Sequence, residues 1–409
     1  MEWYDRLYGL YDEFDTETLR AYQEFVDLFP PVDSRVGLEY WDRASDDLAR
    51  RRQEIREQFR EGETLADVAA HATREQAFTA LDLFSTYERA VNVFVLDVDE
   101  TLRSAGGTDN EIPRETLHLL TEFLDDGVPI VVCTGQTLEN VKGFMIQGLG
   151  NELVHSGRMS IVYEAGTGVF TPGHGADTKQ LLYEDLADDV VRTFDEVRSR
   201  VLPEAPERVR RGCHLQGNEF NVTLKPNDET GSERAVEIIE RALCHLLDLV
   251  GDVVAAAGSA SAWARAYYAA SDPEIRGVLE RRGEMPDVDR GDLPEAAERV
   301  FDRIEVAYYE GDAAEIASKD LNKPVGVEAA FEVLGIDDPF ALVMGDSKSD
   351  LDVMEWIEST DAGVAAAPEH ASTQVLEHVL ARDELVFDAG AADEMLRTVY
   401  ALNRIAGVA

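Results

Sequence analysis

The chain of 409 residues predicts an α/β protein: a doubly wound, Rossmann-like parallel-sheet core with an inserted α+β domain and an N-terminal helical extension. Three observations predict it. Short, wholly apolar runs alternate with amphipathic segments over 91–166 and again over 319–409, the rhythm of βαβ units in a parallel sheet. Between them, over 167–318, strands come in pairs between helices. Over 1–90 the apolar residues recur only at helical spacing.

Taken in order, Trp3, Leu7, Tyr8, Tyr11 and Phe14 mark a first helix. Leu19, Tyr22, Phe25, Val26 and Phe29 mark a second, with Asp15 as its N-cap and Pro30-Pro31 as its stop. A third helix is expected over 37–60 and a fourth over 64–89. His71 reads as a packed or surface histidine, and Arg50-Arg51-Arg52 as a solvated helix face. Strand 91–97 then leads through a glycine-rich loop, Ser104–Asn110, to a helix at 113–126. Strand 128–133, helix 137–148 and strand 159–163 complete the first half of the core. The inserted stretch reads as helix 179–201, strands 208–215 and 219–225, helix 232–250, a helix over 262–282, and strands 302–309 and 313–318. The core resumes with helix 324–334, strand 341–345, helix 349–358, strand 362–365 and a closing helix over 391–405.

Composition narrows the function. Asp and Glu total 82 against 38 Lys and Arg, a formal charge of −44. The acids are spread over the whole length, and Lys142, Lys179, Lys225, Lys319, Lys323 and Lys348 are all the lysines there are. Such global acidity with few lysines resembles the proteins of extreme halophiles, where molar salt screens self-repulsion to about 3 Å. Nucleic acid is not expected as a partner, because so acidic a chain has little to displace counterions from a phosphate backbone. No apolar stretch reaches the roughly 20 residues of a membrane span, and Met1 is followed by Glu, Trp and Tyr and not by a basic leader. A soluble, cytoplasmic chain without a membrane partner is expected. Cys133, Cys213 and Cys244 stand far apart, without zinc-site spacing, as suits a reducing compartment.

The most informative run is Val93-Phe-Val-Leu-Asp97-Val-Asp99-Glu-Thr-Leu. Four apolar residues form a buried strand that delivers two carboxylates at i and i+2. On extended chain these point the same way, at the carboxyl end of the sheet where open α/β folds bind ligands. Adjacent acids repel, so a cation or a proton belongs between them. Three further signals lie at strand exits or helix starts. Thr134-Gly135 ends the second core strand. Lys323 precedes Pro324 at the start of a helix. Val343-Met-Gly345-Asp346-Ser-Lys-Ser-Asp350 is a strand running into a turn with two more acids.

The order Asp-x-Asp-x-Thr, Thr-Gly, Lys and Gly-Asp-x-x-x-Asp strongly resembles the haloacid dehalogenase superfamily of phosphohydrolases. The resemblance covers about 91 to 405. Lys323 stands twelve residues before Gly335, the length of the family's third-motif helix. Glu164-Ala-Gly-Thr looks like its Glu-Asn-Gly-Ala turn, and Gly363-Val-Ala-Ala-Ala resembles the segment after its fourth motif. An insert between the second and third motifs is similar to the large α/β cap of the branch that includes sugar phosphatases. Two positions depart from the pattern. Glu100 stands where Gly is commoner, and Gln136 replaces the Arg usual after Thr-Gly. Residues 1–90 lie outside the resemblance.

The resemblance implies a phosphatase that hydrolyses a small phosphorylated metabolite, a sugar phosphate, through an aspartyl-phosphate. It implies Asp97 as nucleophile and Asp99 as acid and base. Thr134, Gly135 and Lys323 grip and neutralise the phosphoryl oxygens. Asp97, the Asp99 carbonyl and Asp346 hold Mg²⁺, with Asp350 orienting a metal water or Lys323. Within the cap, Arg210, Arg211, His214, Asn218, Asn221 and Lys225 are candidates for substrate contact, with Arg211, Asn221 and Lys225 foremost. Alternatives are a hexose-phosphate mutase and a regulatory binding protein on the same scaffold. Residues 1–90 are expected to contact the core, cover the cap cleft or mediate oligomerisation.

Overall fold

The computed structural model describes residues 2–30, 34–103, 111–254, 260–382 and 384–408. The glycine-rich loop read at Ser104–Asn110 lies outside the described residues. The N-terminal region is helical: α1 (Glu2–Glu13), α2 (Thr16–Leu28), α3 (Arg35–Gln58), α4 (Gly62–His71) and α5 (Arg74–Tyr87). Asp15 caps α2 by accepting from the Thr18 N–H. The single helix expected over 64–89 is two helices, because Thr73 and Gln76 form a capping box that starts α5 anew. Leu7, Leu10, Leu19 and Leu65 are buried in the same apolar cluster as Phe94, Phe123 and Tyr400, so these helices are built into the core. Arg52 is not part of a solvated face. Its side chain is 18% exposed and pairs with Asp67.

The core sheet collects β1 (Val93–Leu96), β2 (Ile130–Cys133), β3 (Met159–Tyr163), β4 (Gly168–Phe170) and β5 (Lys179–Leu181), with α6 (Arg114–Asp125), α7 (Leu138–Leu149) and α8 (Asn151–Val154) between them. After the inserted segment come α15 (Lys323–Leu334), β10 (Ala341–Met344), α16 (Lys348–Ser359), β11 (Gly363–Pro368), α17 (Thr373–Ala381), β12 (Leu385–Phe387) and α18 (Ala392–Ala406). The strand order is β12-β11-β10-β1-β2-β3-β4-β5. Strands from β12 to β3 run parallel, and β4 pairs antiparallel to β3. Every residue of β1, β2, β3, β10 and β11 is buried, as expected of strands covered on both faces. The chain moves outward from β1 in one direction through β2 and β3, and from β10 in the other through β11 and β12. The topological switch point therefore falls between β1 and β10. α17 and β12 lie beyond the sequence reading, since three strand residues are too few to show a period.

Two compact units result: residues Met1–Gln180 with Gly326–Ala409, and residues Leu181–Val325. The insert read from sequence, 167–318, both starts and ends earlier than the second unit. Pairing of β4 and β5 onto the core sheet keeps residues up to Gln180 with the first unit.

The second unit contains α9 (Asp188–Arg200), α10 (Glu207–Gly212), β6 (Cys213–Gln216), β7 (Asn221–Pro226), α11 (Gly231–Val254), α12 (Ala260–Ser271), α13 (Pro273–Arg282), α14 (Glu295–Phe301), β8 (Ile304–Tyr309) and β9 (Ala313–Ser318). Three expectations are corrected here. The helix read over 179–201 begins only at Asp188, because β5 occupies its first residues. Strand 208–215 is mostly α10, which follows Pro206 and places Glu207 in its first turn. Helix 262–282 breaks at Asp272-Pro273, where Asp272 caps α13 by accepting from the N–H groups of Glu274 and Ile275. The sheet is antiparallel in the order β6-β7-β9-β8. One face, with Val222, Leu224, Ala314 and Ile316, is buried in an apolar cluster with residues of α9 and α11. The other carries His214, Gln216, Asn221, Thr223, Lys225 and Glu315, as the register requires. No helix among the described residues is long and apolar enough to cross a membrane.

Candidate active site

The switch point places two acids side by side. Asp97 follows β1 directly, and its N–H donates to the Met344 carbonyl at 2.9 Å, extending the β1–β10 ladder by one residue. Asp346 follows β10 two residues later. A carboxylate oxygen from each of Asp97, Asp346 and Asp350 lies within 4.8 Å of the other two. Asp97 and Asp350 are 6% and 3% exposed. Three carboxylates brought together, two of them buried, repel one another unless a cation or protons sit among them. An all-oxygen donor set of this kind suits a hard divalent ion such as Mg²⁺.

Asp350 is held by its helix. Ser347 is the N-cap of α16, and its N–H and hydroxyl both donate to Asp350 Oδ2, at 3.1 and 2.6 Å. This capping box is a structural role for Asp350, and it also aims the carboxylate at Asp97 and Asp346. The sequence reading keeps Asp350 one step behind the metal ligands, whereas its carboxylate stands within the cluster.

Past Asp97 the chain turns sharply. The N–H groups of Leu102 and Arg103 both donate to the Val98 carbonyl at 3.1 Å. Glu100 takes a left-handed φ of 58°, a conformation that favours glycine and explains why glycine suits this position. Its carboxylate lies 3.4 Å from His370 Nε2. Asp99 is half exposed, and both its oxygens are engaged. Oδ1 accepts from Arg103 Nε at 3.0 Å and Nη2 at 2.7 Å, and Oδ2 accepts from Gln136 Nε2 at 2.5 Å.

Thr134 and Gly135 stand at the same edge, at the end of β2. Thr134 is buried; its N–H donates to Val162 of β3, and its carbonyl accepts from Ala165. The Thr134 hydroxyl accepts from the Gln136 N–H at 3.1 Å. A Cβ built on Gly135 meets nothing within 4 Å, so the space before that backbone is open. The Glu164-Ala-Gly turn that follows β3 carries three successive positive φ values.

Lys323 is 3% exposed and opens α15. Three residues on, Gly326 packs so closely on Val162 of β3 that a Cβ there would fall 2.3 Å from Val162 Cγ1. Among the sheet candidates of the second unit, Asn221 donates to Glu315 Oε1 at 2.9 Å and accepts from the Thr223 hydroxyl at 2.6 Å. Lys225 lies 3.6 Å from Asp312, and His214 is opposite Lys225 on the neighbouring strand. Arg210 and Arg211 are on α10 and not on the sheet, and Arg211 pairs with Glu207 at the surface. Arg198 donates to the Asn218 carbonyl. Arg103 as a partner of Asp99 was missed from sequence: the two meet across a turn and not on a helix face, so their i+4 spacing carried no signal.

Residues 288–379 match the family of haloacid dehalogenase-like hydrolases. That span carries Lys323, Asp346 and Asp350, and it excludes Asp97 and Thr134. Comparison with curated proteins finds no match. Similar solved structures include trehalose-6-phosphate phosphatase from Aspergillus fumigatus, at 16% identity over 79% of this chain and 97% of that one, with a TM-score of 0.45. A haloacid dehalogenase-like hydrolase from Bacteroides thetaiotaomicron is 14% identical over 76% of this chain and 98% of its own, with a TM-score of 0.41. A Thermoplasma acidophilum protein is 13% identical over 77% of this chain and 100% of that one, with a TM-score of 0.42.

Proposed function

We propose that the protein is a Mg²⁺-dependent phosphatase that hydrolyses a small phosphorylated metabolite, a sugar phosphate, through an aspartyl-phosphate, and that it works in molar salt. The observation that supports this most is the convergence of Asp97, Asp346 and Asp350 at the switch point of the sheet. Phosphoryl transfer asks a protein mainly for in-line placement and charge neutralisation; in this reading Asp97 supplies the first, and the cation held by the acids together with Lys323 supplies the second.

In this reading an Asp97 carboxylate oxygen attacks phosphorus, and the bond from phosphorus to the leaving oxygen breaks. Asp99 gives the leaving oxygen its proton. Water then attacks the phosphorus of the aspartyl-phosphate, Asp99 takes the proton, and inorganic phosphate leaves Asp97 intact. The Thr134 hydroxyl, the Gly135 N–H and the Lys323 ammonium bind and neutralise the phosphoryl oxygens. Asp97, Asp346 and the Asp99 carbonyl are the proposed ligands of Mg²⁺, with Asp350 beside them. When bound, the ion offsets the charge of carboxylates and phosphate. Selectivity among metabolites is assigned to the second unit, whose Asn221, Thr223 and Glu315 form an amide–hydroxyl–carboxylate network suited to hydroxyl groups. Arg211 and Lys225 are weaker candidates, since both already pair with acids.

The test is phosphate release from a panel of phosphorylated metabolites, with Mg²⁺, in molar KCl. Sugar phosphates are expected to be turned over, and a chelator to abolish the release. Isomerised hexose phosphate without free phosphate would identify a mutase instead, and no turnover of any phosphoester would remove the enzymatic reading.

A further inference from the structure

We propose that Gln136, together with Arg103, is a positioning residue that fixes the carboxylate of Asp99 for proton transfer to the leaving group. The proposal rests on the phosphatase reading above and extends it to a residue at which the chain departs from the family's pattern. Gln136 is anchored at three points. Its N–H donates to the Thr134 hydroxyl, its carbonyl accepts from the Glu164 N–H at 2.9 Å, and its side chain reaches Asp99 Oδ2 at 2.5 Å. The two backbone contacts hold the residue between the ends of β2 and β3. From this anchored backbone the side chain reaches from the end of β2 to Asp99.

Arg103 holds the other oxygen. Its Nε and Nη2 both converge on Oδ1, and the guanidinium sits 4.9 Å from the ring centroid of Phe144, which limits its swing. The Gln136 amide donates from Nε2 to Oδ2, and with both Arg103 donors on Oδ1 the second lone pair of Oδ2 is left for the proton that Asp99 delivers. With one donor group on each oxygen, the plane of the Asp99 carboxylate is defined in a site where its own exposure would leave it mobile. Misplacing a catalytic group by an ångström costs on the order of 100-fold. The Gln136 amide thus does by hydrogen bonding what the backbone around Asp99, with Glu100 in a left-handed turn, does not do by packing.

The experiment compares a phosphate ester of an alcohol, which needs a proton to leave, with p-nitrophenyl phosphate, whose phenolate leaves without one. The full chain is used, with Mg²⁺ in molar KCl. For Gln136→Glu, which keeps size and loses the donor, the ratio of the first-turnover rate of alcohol release to that of nitrophenolate release, which precede the hydrolysis of the aspartyl-phosphate common to both esters, is expected to fall about tenfold or more. KM for the alkyl ester should change little. Gln136→Arg, which restores N–H donors, should return the ratio to within about threefold of wild type. An equal loss of first-turnover release on both esters, a loss carried by KM, or identical ratios for Glu and Arg would overturn the positioning role while leaving the phosphatase reading intact. A wild-type chain that hydrolyses neither ester would remove that reading first, and the proposal with it.

Discussion

At the scale of single residues, Gly345 leaves no room for a side chain. A Cβ there would lie 2.3 Å from both Cβ and Cγ of Asp350. Gly345→Ala must push Asp350 out of its capping box and out of the carboxylate cluster. We expect a loss of about 1–3 kcal/mol in stability, read by denaturant unfolding, and a greater fractional loss of phosphate release than of folded protein. An alanine variant with wild-type activity would show that Asp350 need not stand where it does. The core of the site was legible in the sequence because its residues sit at strand ends, where position follows from the pleat. Asp97, Thr134 and Asp346 are of this kind. The contacts of Asp99 were not legible, since they depend on the turn after Asp97 and on a side chain from a different strand end. The part Asp350 plays in a capping box was visible in Ser347-x-x-Asp350, and it is compatible with the place proposed for its carboxylate beside the ion.

At the scale of elements, the N-terminal helices meet the core through polar groups as well as apolar ones. His118 on α6 lies 3.5 Å from Asp27 on α2 and 3.6 Å from Glu122 one turn along. The hydrogen bond to Asp27 raises the His118 pKa, against a smaller opposing effect of burial. Burial raises Asp27, and the bonds from His118 and Gln23 outweigh it and hold that carboxyl low. Burial raises Glu122. His71, at the end of α4, donates from Nδ1 to the Asp67 carbonyl, stacks near Tyr400, and leaves Nε2 4.0 Å from Glu122. Burial drives its pKa down to about 3.

The two histidines act with opposite sign. A raised pKa at His118 gives stability that is present below about 6.5 and is lost as pH rises through its native value. A depressed pKa at His71 costs nothing above about 6.5, and costs stability as pH falls towards 3, because the unfolded chain takes up a proton that the native one refuses. Between pH 7 and 5 the His71 effect amounts to about 2 kcal/mol. His71→Phe, which keeps the ring against Tyr400, should therefore gain about 2 kcal/mol on wild type over that interval, measured by urea unfolding at each pH. Parallel pH profiles for the two proteins would contradict the assignment. None of this network was legible in the sequence, because its members come from α2, α4, α6 and α18 and no local period links them. Helices α1, α2 and α3 were legible from apolar spacing. Helix α10 was not: Val209 and the residues after it suit a strand in composition, and Pro206 with Glu207 decides the matter locally. The breaks at Thr73 and at Asp272-Pro273 were readable as caps, and a continuous apolar period across each of them hid the signal.

At the scale of the whole molecule, the charge of −44 is a standing repulsion that the fold must overcome. Many arginines are tied in local pairs, such as Arg265 with Asp248 and Glu284, and Arg303 with Asp320. With 82 acids and 38 basic side chains, more than half the acids have no basic side chain to match them one for one. Screening falls from about 10 Å at 0.1 M salt to about 3 Å at 1 M. The thermal unfolding midpoint is therefore expected to rise by several degrees when KCl goes from roughly 0.1 M to 1 M. An unmoved midpoint would show that local pairing already contains the repulsion. The same field opposes an approaching phosphate, which gives Lys323, buried in a chain of few lysines, its proposed importance.

The central claim is that Asp97, at the end of β1, forms the bond to phosphorus. The most direct measurement is the rate of Mg²⁺-dependent phosphate release by Asp97→Asn beside wild type, in molar KCl, with circular dichroism confirming equal folding. A loss of at least about a thousandfold is expected, since asparagine keeps the shape and removes the nucleophile. Release by Asp97→Asn at a rate near wild type would contradict it.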